Sequence, residues 1–284
     1  MWVVPAMWSS NYIIARSADG VIAPHLLASG RWLLAGALLM AFLGAPGVQS
    51  LRRAWRGEWR HTLVLGVLGM TICGAWLYQG ARSTSATNIA LLYAATPVAI
   101  AALSARLLHE QLRLRQKAGA ALALAGVLFV IAKGDLANLL EVRFSSGDFW
   151  VLICTVSWTA YSVLLKLWPS RMGPGERLVA IIAGGLLVLL PFTLLEAWLA
   201  PSPPLGAHAA ALVVLAAVLP GVLSYSAYSY LQRELGAART ALMLYLAPVY
   251  GALQGWAILG EVPGWYHVVG AALILPSIAL ATRK

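Results

Sequence analysis

Long apolar stretches alternate with short polar breaks over the whole chain. A bilayer-crossing helix needs about 20 predominantly apolar residues. Ten stretches approach that length: 1–16, 25–44, 61–81, 86–108, 117–133, 147–167, 177–199, 207–231, 238–260 and 264–281. They use nearly all of the sequence, so the pattern predicts an all-α integral membrane protein of ten transmembrane helices, with no separate soluble domain. The N-terminal stretch is short, and further residues ahead of it would suit its length. It lacks a basic region and a convincing small-residue cleavage site, so it reads as a first span rather than a signal peptide.

Composition agrees with the pattern. Of 284 residues, 61% are hydrophobic and only 11% charged, too few charges to cover a soluble surface. The net charge of +10 raises nucleic acid as a partner, but the basic residues lie in breaks between apolar stretches, which suits topology. One set of connections carries Arg52, Arg53, Arg56, Arg60, Arg106, Arg113, Arg115, Lys117, Lys166, Arg171, Arg177, Arg233, Arg239, Arg283 and Lys284. The opposite set carries only Arg16, Arg82, Lys133 and Arg143. This asymmetry predicts a multi-pass protein of a bacterial-type inner membrane with both termini cytoplasmic. Trp55, Trp59, Trp150, Trp168, Trp198 and Trp265 fall near span ends, as an interfacial belt would. Cys73 and Cys154 lie inside apolar stretches and read as small buried side chains.

The chain also repeats itself. "PVAIAALSARLLHE" at 97–110 returns as "PVYGALQGWAILGE" at 248–261, a shift of 151 positions. At that shift, without a gap, Arg82 matches Arg233, Pro97 matches Pro248, Glu110 matches Glu261 and Gly119 matches Gly270. A fainter echo at a shift of 150 links Trp8 to Trp158, Arg16 to Lys166 and Pro24 to Pro174. The halves are thus 1–134 and 147–284, each with five spans. Five is odd, so the second half enters from the opposite side, and two inverted five-helix repeats are expected.

Proline at 97 and 248 removes a backbone donor and crowds the carbonyl four residues earlier, at Tyr93 or Leu244. In lipid such a carbonyl must face protein or a wet cavity. These kinks therefore point to cavity-lining helices, with a packed structural kink as the bland alternative. Glu110 and Glu261, at span ends, read as caps or ion-pair partners.

The repeated proline, glutamate and glycine in tandem five-helix halves resemble the EamA family of the drug/metabolite transporter superfamily, and the aromatic-rich spans look most like its exporters of aromatic and other amino acids. His109 and Gly260, ahead of the two glutamates, and Gly126 and Ser277 depart from the symmetric pattern. The resemblance implies ten helices around a central cavity and export of small metabolites, amino acids above all. Export of other metabolites or of drug-like cations is the alternative, and a membrane enzyme or scaffold the alternative of another class.

No Asp, Glu or His falls at an expected midplane, where a proton relay would need one. "HEQLR" at 109–113 lacks the second histidine of a zinc helix, and no hydrolase-type serine elbow is present. Neither a metal nor a cofactor is expected, and transport needs no obligatory proton on this reading. The interior candidates are neutral and aromatic. Trp8, Asn11 and Tyr12 share one helix face, and Trp158, Tyr161 and Ser162 repeat that spacing. With Tyr250 and Gln254 they form the expected substrate-binding set, and packing between helices is the competing account. Trp76, Tyr78 and Gln79 at one span end, and Tyr225, Tyr228 and Tyr230 at another, read either as gates at opposite mouths or as interfacial aromatics. Arg31 lies one and a half to two turns inside its span; snorkelling to the surface is the simpler account, binding a substrate carboxylate the other. "AGAALALAG" at 118–126 and "VGAALIL" at 269–275 allow close helix approach, within the bundle or across a homodimer.

Overall fold

The computed structural model describes residues 2–200 and 202–282. Met1 of the first expected span, and Arg283 and Lys284 of the charge count, lie outside them. Every regular element among the described residues is helical. In chain order the helices are α1 (Val3–Ser17), α2 (Pro24–Ala45), α3 (Trp55–Ala81), α4 (Asn88–Leu107), α5 (Leu114–Ile131), α6 (Ser146–Leu167), α7 (Pro174–Leu199), α8 (Ala207–Leu235) and α9 (Ala237–Ile258), then α10 (Trp265–Thr282). The eight from α2 to α9 are long and apolar enough to cross a bilayer. The protein is a multi-pass membrane protein.

Local chemistry sets the helix ends. Pro24 and Pro174 sit in the first turns of α2 and α7, where a missing N–H costs nothing. Ser145 and Asp148 form a capping box at the start of α6. The same carboxylate accepts from Asn88 Nδ2 at 2.8 Å and from the Thr84 hydroxyl, tying the α3–α4 connection to α6. Gly260 ends α9 in the left-handed conformation, φ 72°.

One expected loop is absent. Residues 45–60, read as a polar connection, continue as helix from Pro24 to Gly66, interrupted only at Gly44 (φ 62°, ψ −172°). "VQSLRRAWRGEWR" is rich in good helix formers, so polarity alone does not break it. The turn needs only one residue at positive φ, and glycine supplies it.

Four helices are irregular inside the bundle. A π-helical stretch, Val67–Trp76, interrupts α3, and another, Ala217–Leu223, interrupts α8. In α4 the helix breaks at Ala95, so Pro97 lies in the first turn of the segment Thr96–Leu107. In α9 a 3₁₀ turn, Leu242–Leu246, precedes Ala247–Leu259, with Pro248 in its first turn. Each proline thus begins a helical segment rather than bending a continuous one, because the first turn tolerates the absent N–H.

The most extensive packing runs between the stretch Pro24–Gly66 and α7 and between α5 and α10. Glycines allow both. A Cβ on Gly66 would fall 2.2 Å from the Gly185 backbone N, and one on Gly126 would meet Ile274, Leu273 and the Gly270 carbonyl. The two small-residue stretches at 118–126 and 269–275 therefore face each other within the chain. One apolar core gathers Trp32, Leu65, Met70, Trp158, Tyr161, Tyr225 and Tyr228. A second gathers Ala123, Val127, Leu242, Tyr245, Leu246 and Ile274.

Candidate functional site

A cavity of about 790 Å³ lies between these two cores, lined by members of both. Trp8, Trp158 and Tyr225 form its inner end. The Trp8 ring meets Trp158 edge-on, centroids 5.1 Å apart at 89°, and Tyr225 at 5.9 Å and 88°. Edge-to-face pairs of this kind contribute roughly 0.5–1.5 kcal/mol beyond their burial. Arg16, Thr84, Lys133, Glu261, Val262 and His267 line the other end, several of them exposed, so the cavity opens there.

The π stretch of α3 holds this wall. A π turn shifts the backbone register and frees carbonyls from their helical partners. Trp32 Nε1 donates to the Met70 carbonyl at 3.1 Å, the Tyr225 hydroxyl to that of Gly69 at 3.0 Å, and Ser157 Oγ to that of Leu68 at 2.9 Å. Cys154 Sγ reaches the Ile72 carbonyl and Cys73 Sγ the Cys154 carbonyl, both at 3.3 Å. Side chains of three helices are thereby fixed on one irregular segment.

Of the residues expected to bind substrate, Trp8, Asn11, Tyr12 and Trp158 line the cavity. The other four do not. Tyr161 stacks behind Trp158 at 5.0 Å, and Ser162 Oγ accepts from the Tyr228 hydroxyl at 2.9 Å. Both are shut off because a large ring stands between them and the cavity. Gln254 turns to the first helix, where its Nε2 donates to the Ala6 carbonyl at 2.8 Å. Tyr250 packs on the second core. Pro248 lines the cavity and Pro97 does not.

The expected gating residues also separate. Tyr225 and Tyr228 sit in the central aromatic group, both in ring contact with Trp8, while Tyr230 is 60% exposed. Trp76 faces Trp150, centroids 5.2 Å apart, and Gln79 is half-buried. Tyr78 is buried inward and donates to Asn11 Oδ1 at 2.6 Å. Hydrogen-bonding tips draw these tyrosines into the interior, away from a mouth. Sequence reasoning missed Tyr93, Tyr245 and Tyr266, which line the cavity from α4, α9 and α10. Lone aromatics in apolar helices carry no periodic signal for it.

Arg31 is 3% exposed and lines the cavity. It does not snorkel. Its Nη2 donates to the Pro220 carbonyl at 2.9 Å, in the π stretch of α8, and its guanidinium lies 4.4 Å from the Trp32 ring centre.

At the far end from the opening the bundle is closed. The Glu110 carboxylate accepts from the Ala238 N–H, Gln232 Nε2 donates to the Ser162 carbonyl at 3.0 Å, and Lys166 Nζ reaches the Gln232 carbonyl at 3.4 Å. At the open end Glu261 pairs with Arg16 at 2.5 Å.

The apolar helices thus surround an aromatic cavity that opens at one end. The family model of the EamA-like transporter family matches residues 1–132 and 145–283. The chain belongs to that family, and it is a non-enzymatic transporter. It is 26% identical over 278 residues to an uncharacterized transporter of Archaeoglobus fulgidus, covering 98% of this chain and 94% of that protein. It is 27% identical over 240 residues to a probable terminal-alkyne amino-acid exporter of Streptantibioticus cattleyicolor, covering 84% and 78%. It is 23% identical over 275 residues to an S-adenosylmethionine/S-adenosylhomocysteine transporter of Chlamydia trachomatis, covering 93% and 83%. A solved crystal structure shares the fold at a TM-score of 0.80 and 22% identity, covering 99% of this chain and 94% of that one.

Proposed function

We propose that the protein exports amino acids with apolar or aromatic side chains across an inner membrane by alternating access. The observation that carries this reading is a cavity of about 790 Å³ with an inner wall of Trp8, Trp158 and Tyr225, open at one end and closed at the other. Its volume falls in the roughly 300–1,000 Å³ range of small-molecule sites. Aromatic walls with a few polar groups, here Asn11 and Arg31, suit a small amphipathic molecule. The amino-acid exporter among the relatives supports the substrate class.

In the same proposal the ten helices are two inverted five-helix repeats with both termini cytoplasmic. The π stretches of α3 and α8 begin 150 residues apart, at Val67 and Ala217, which supports this symmetry. The cavity then opens outward, and the end bearing Glu110 is cytoplasmic.

Two experiments test it. Uptake into proteoliposomes across a panel of amino acids should show saturable flux for those with apolar or aromatic side chains. No flux for any amino acid would remove the substrate class. Cysteines placed at Arg171 and Leu140, both exposed, should react from the cytoplasmic and the outer side respectively. Labelling of both from one side would overturn the inverted arrangement.

A further inference from the structure

Arg31 is a buried cation without an anion. Its contacts are all neutral: Asn11 Oδ1 and the Tyr78 hydroxyl, each 3.4 Å from Nη1, the Pro220 carbonyl, and the Trp32 face. Its Nε has no partner. The Arg16–Glu261 ion pair and the His25–Glu196 contact do not involve Arg31.

A guanidinium carries five N–H donors in a rigid fork that matches a carboxylate. Burying its charge without a counter-charge is unfavourable, so such groups face a partner, a cavity or a ligand. Snorkelling does not apply at 3% exposure. A purely structural role, holding the π stretch of α8 through Pro220, accounts for one donor and leaves Nε idle. The Nη1 contacts are longer than the usual 2.7–3.2 Å, so a stronger acceptor can displace them. Tyr245, whose hydroxyl is buried without a partner, lines the same cavity.

The rest of the cavity points the same way. Its charged lining is Arg16, Arg31, Lys133 and Glu261, with Glu261 already held by Arg16 at the mouth. The lining is therefore cationic and offers no free carboxylate to a cationic ligand.

We infer that Arg31 docks the carboxylate of the transported molecule, so that the site selects small organic carboxylates with an apolar body and rejects amines lacking the acid. The inference rests on the transporter reading above and names the group recognised.

The test uses the purified full chain in detergent, with binding read by quenching of its own tryptophan fluorescence. Three probes share one ring: phenylalanine, 3-phenylpropionate and phenethylamine. Phenylalanine and 3-phenylpropionate should bind at least ten-fold more tightly than phenethylamine. Arg31→Gln should weaken both carboxylates ten-fold or more, and Arg31→Lys should retain part of the preference. Arg31→Lys, which keeps the charge but loses the fork, carries the assignment to Arg31 if Arg31→Gln fails to fold. Equal binding of phenethylamine and phenylalanine overturns the role of Arg31 and leaves amino acids as substrates. Binding of 3-phenylpropionate without phenylalanine supports Arg31 and overturns the amino-acid reading. Binding of neither carboxylate overturns the inference.

Discussion

The carboxylate of Glu110 accepts a hydrogen bond from the backbone N–H of Ala238 at 3.1 Å, joining the end of α4 to the first turn of α9. Gly236 makes the approach possible, since a Cβ there would lie 2.7 Å from the carboxylate. Glu261, its counterpart one repeat later, pairs with exposed Arg16. On the proposed inverted arrangement this contact lies at the closed end, and the cavity opens at the end bearing Glu261.

Removing that cap should therefore loosen the closed end. Loss of a helix-capping oxygen costs about 0.5–2 kcal/mol, enough to shift a two-state balance several-fold toward opening. In a background with Cys73 and Cys154 replaced by Ser, a cysteine at buried Ser162 should be labelled several-fold faster when Glu110→Ala is added. An unchanged labelling rate would leave Glu110 as a local fastening only.

The aromatic wall gives a second expectation. Trp8→Ala or Trp158→Ala should lower flux at least ten-fold at comparable folded yield. Trp55→Ala, at a position 37% exposed whose indole bonds to Thr62 on its own helix, should change it little. Equal losses at all three would return Trp8 and Trp158 to packing.

Close helix approach predicts a stability effect. Gly66→Ala drives a methyl against the backbone of Gly185, with Met70 and Thr71 packed alongside. Backbone atoms cannot rotate away, so the variant should lose about 1–3 kcal/mol, read as a lower melting temperature in detergent. Gly57→Ala, in open space inside a helix, is the control and should melt no lower than the wild type.

Coupling follows from where the acids sit. Asp148 is engaged at the start of α6, Glu196 accepts from His25 and Leu26 amides, and Glu261 holds Arg16 at the mouth. With no carboxylate at the inner wall of the cavity, substrate affinity alone should shift the balance of states. In proteoliposomes without an ion gradient, counterflow should persist and net flux should follow the substrate. Uphill accumulation driven by a pH gradient and abolished by a protonophore would sink this expectation; Glu261 and His267, both on the cavity lining, would then be the groups to replace.

Membership of the family and the helical membrane class were legible in the chain, and so was a disruption at Pro97 and Pro248, though it was expected as a kink and the structure starts a new helical segment there. Each rests on local or periodic chemistry: apolar length, charge in the breaks, a missing N–H, a motif recurring after 151 residues. Helical spacing also put Trp8, Asn11 and Tyr12 on one face, and all three line the cavity. Only the tertiary structure decided which faces turn inward. Hydropathy does not separate lipid-facing from cavity-facing positions, because both are apolar. Trp158 therefore lines the cavity while Tyr161 and Ser162, on the same face, lie covered behind it and Tyr228. The continuous helix through 45–60 escaped a reading that equated polar with loop. Arg31 is the sharpest case. Its sequence position allowed snorkelling, and its burial depends on a Pro220 carbonyl 189 residues away, within a π stretch no periodicity announces.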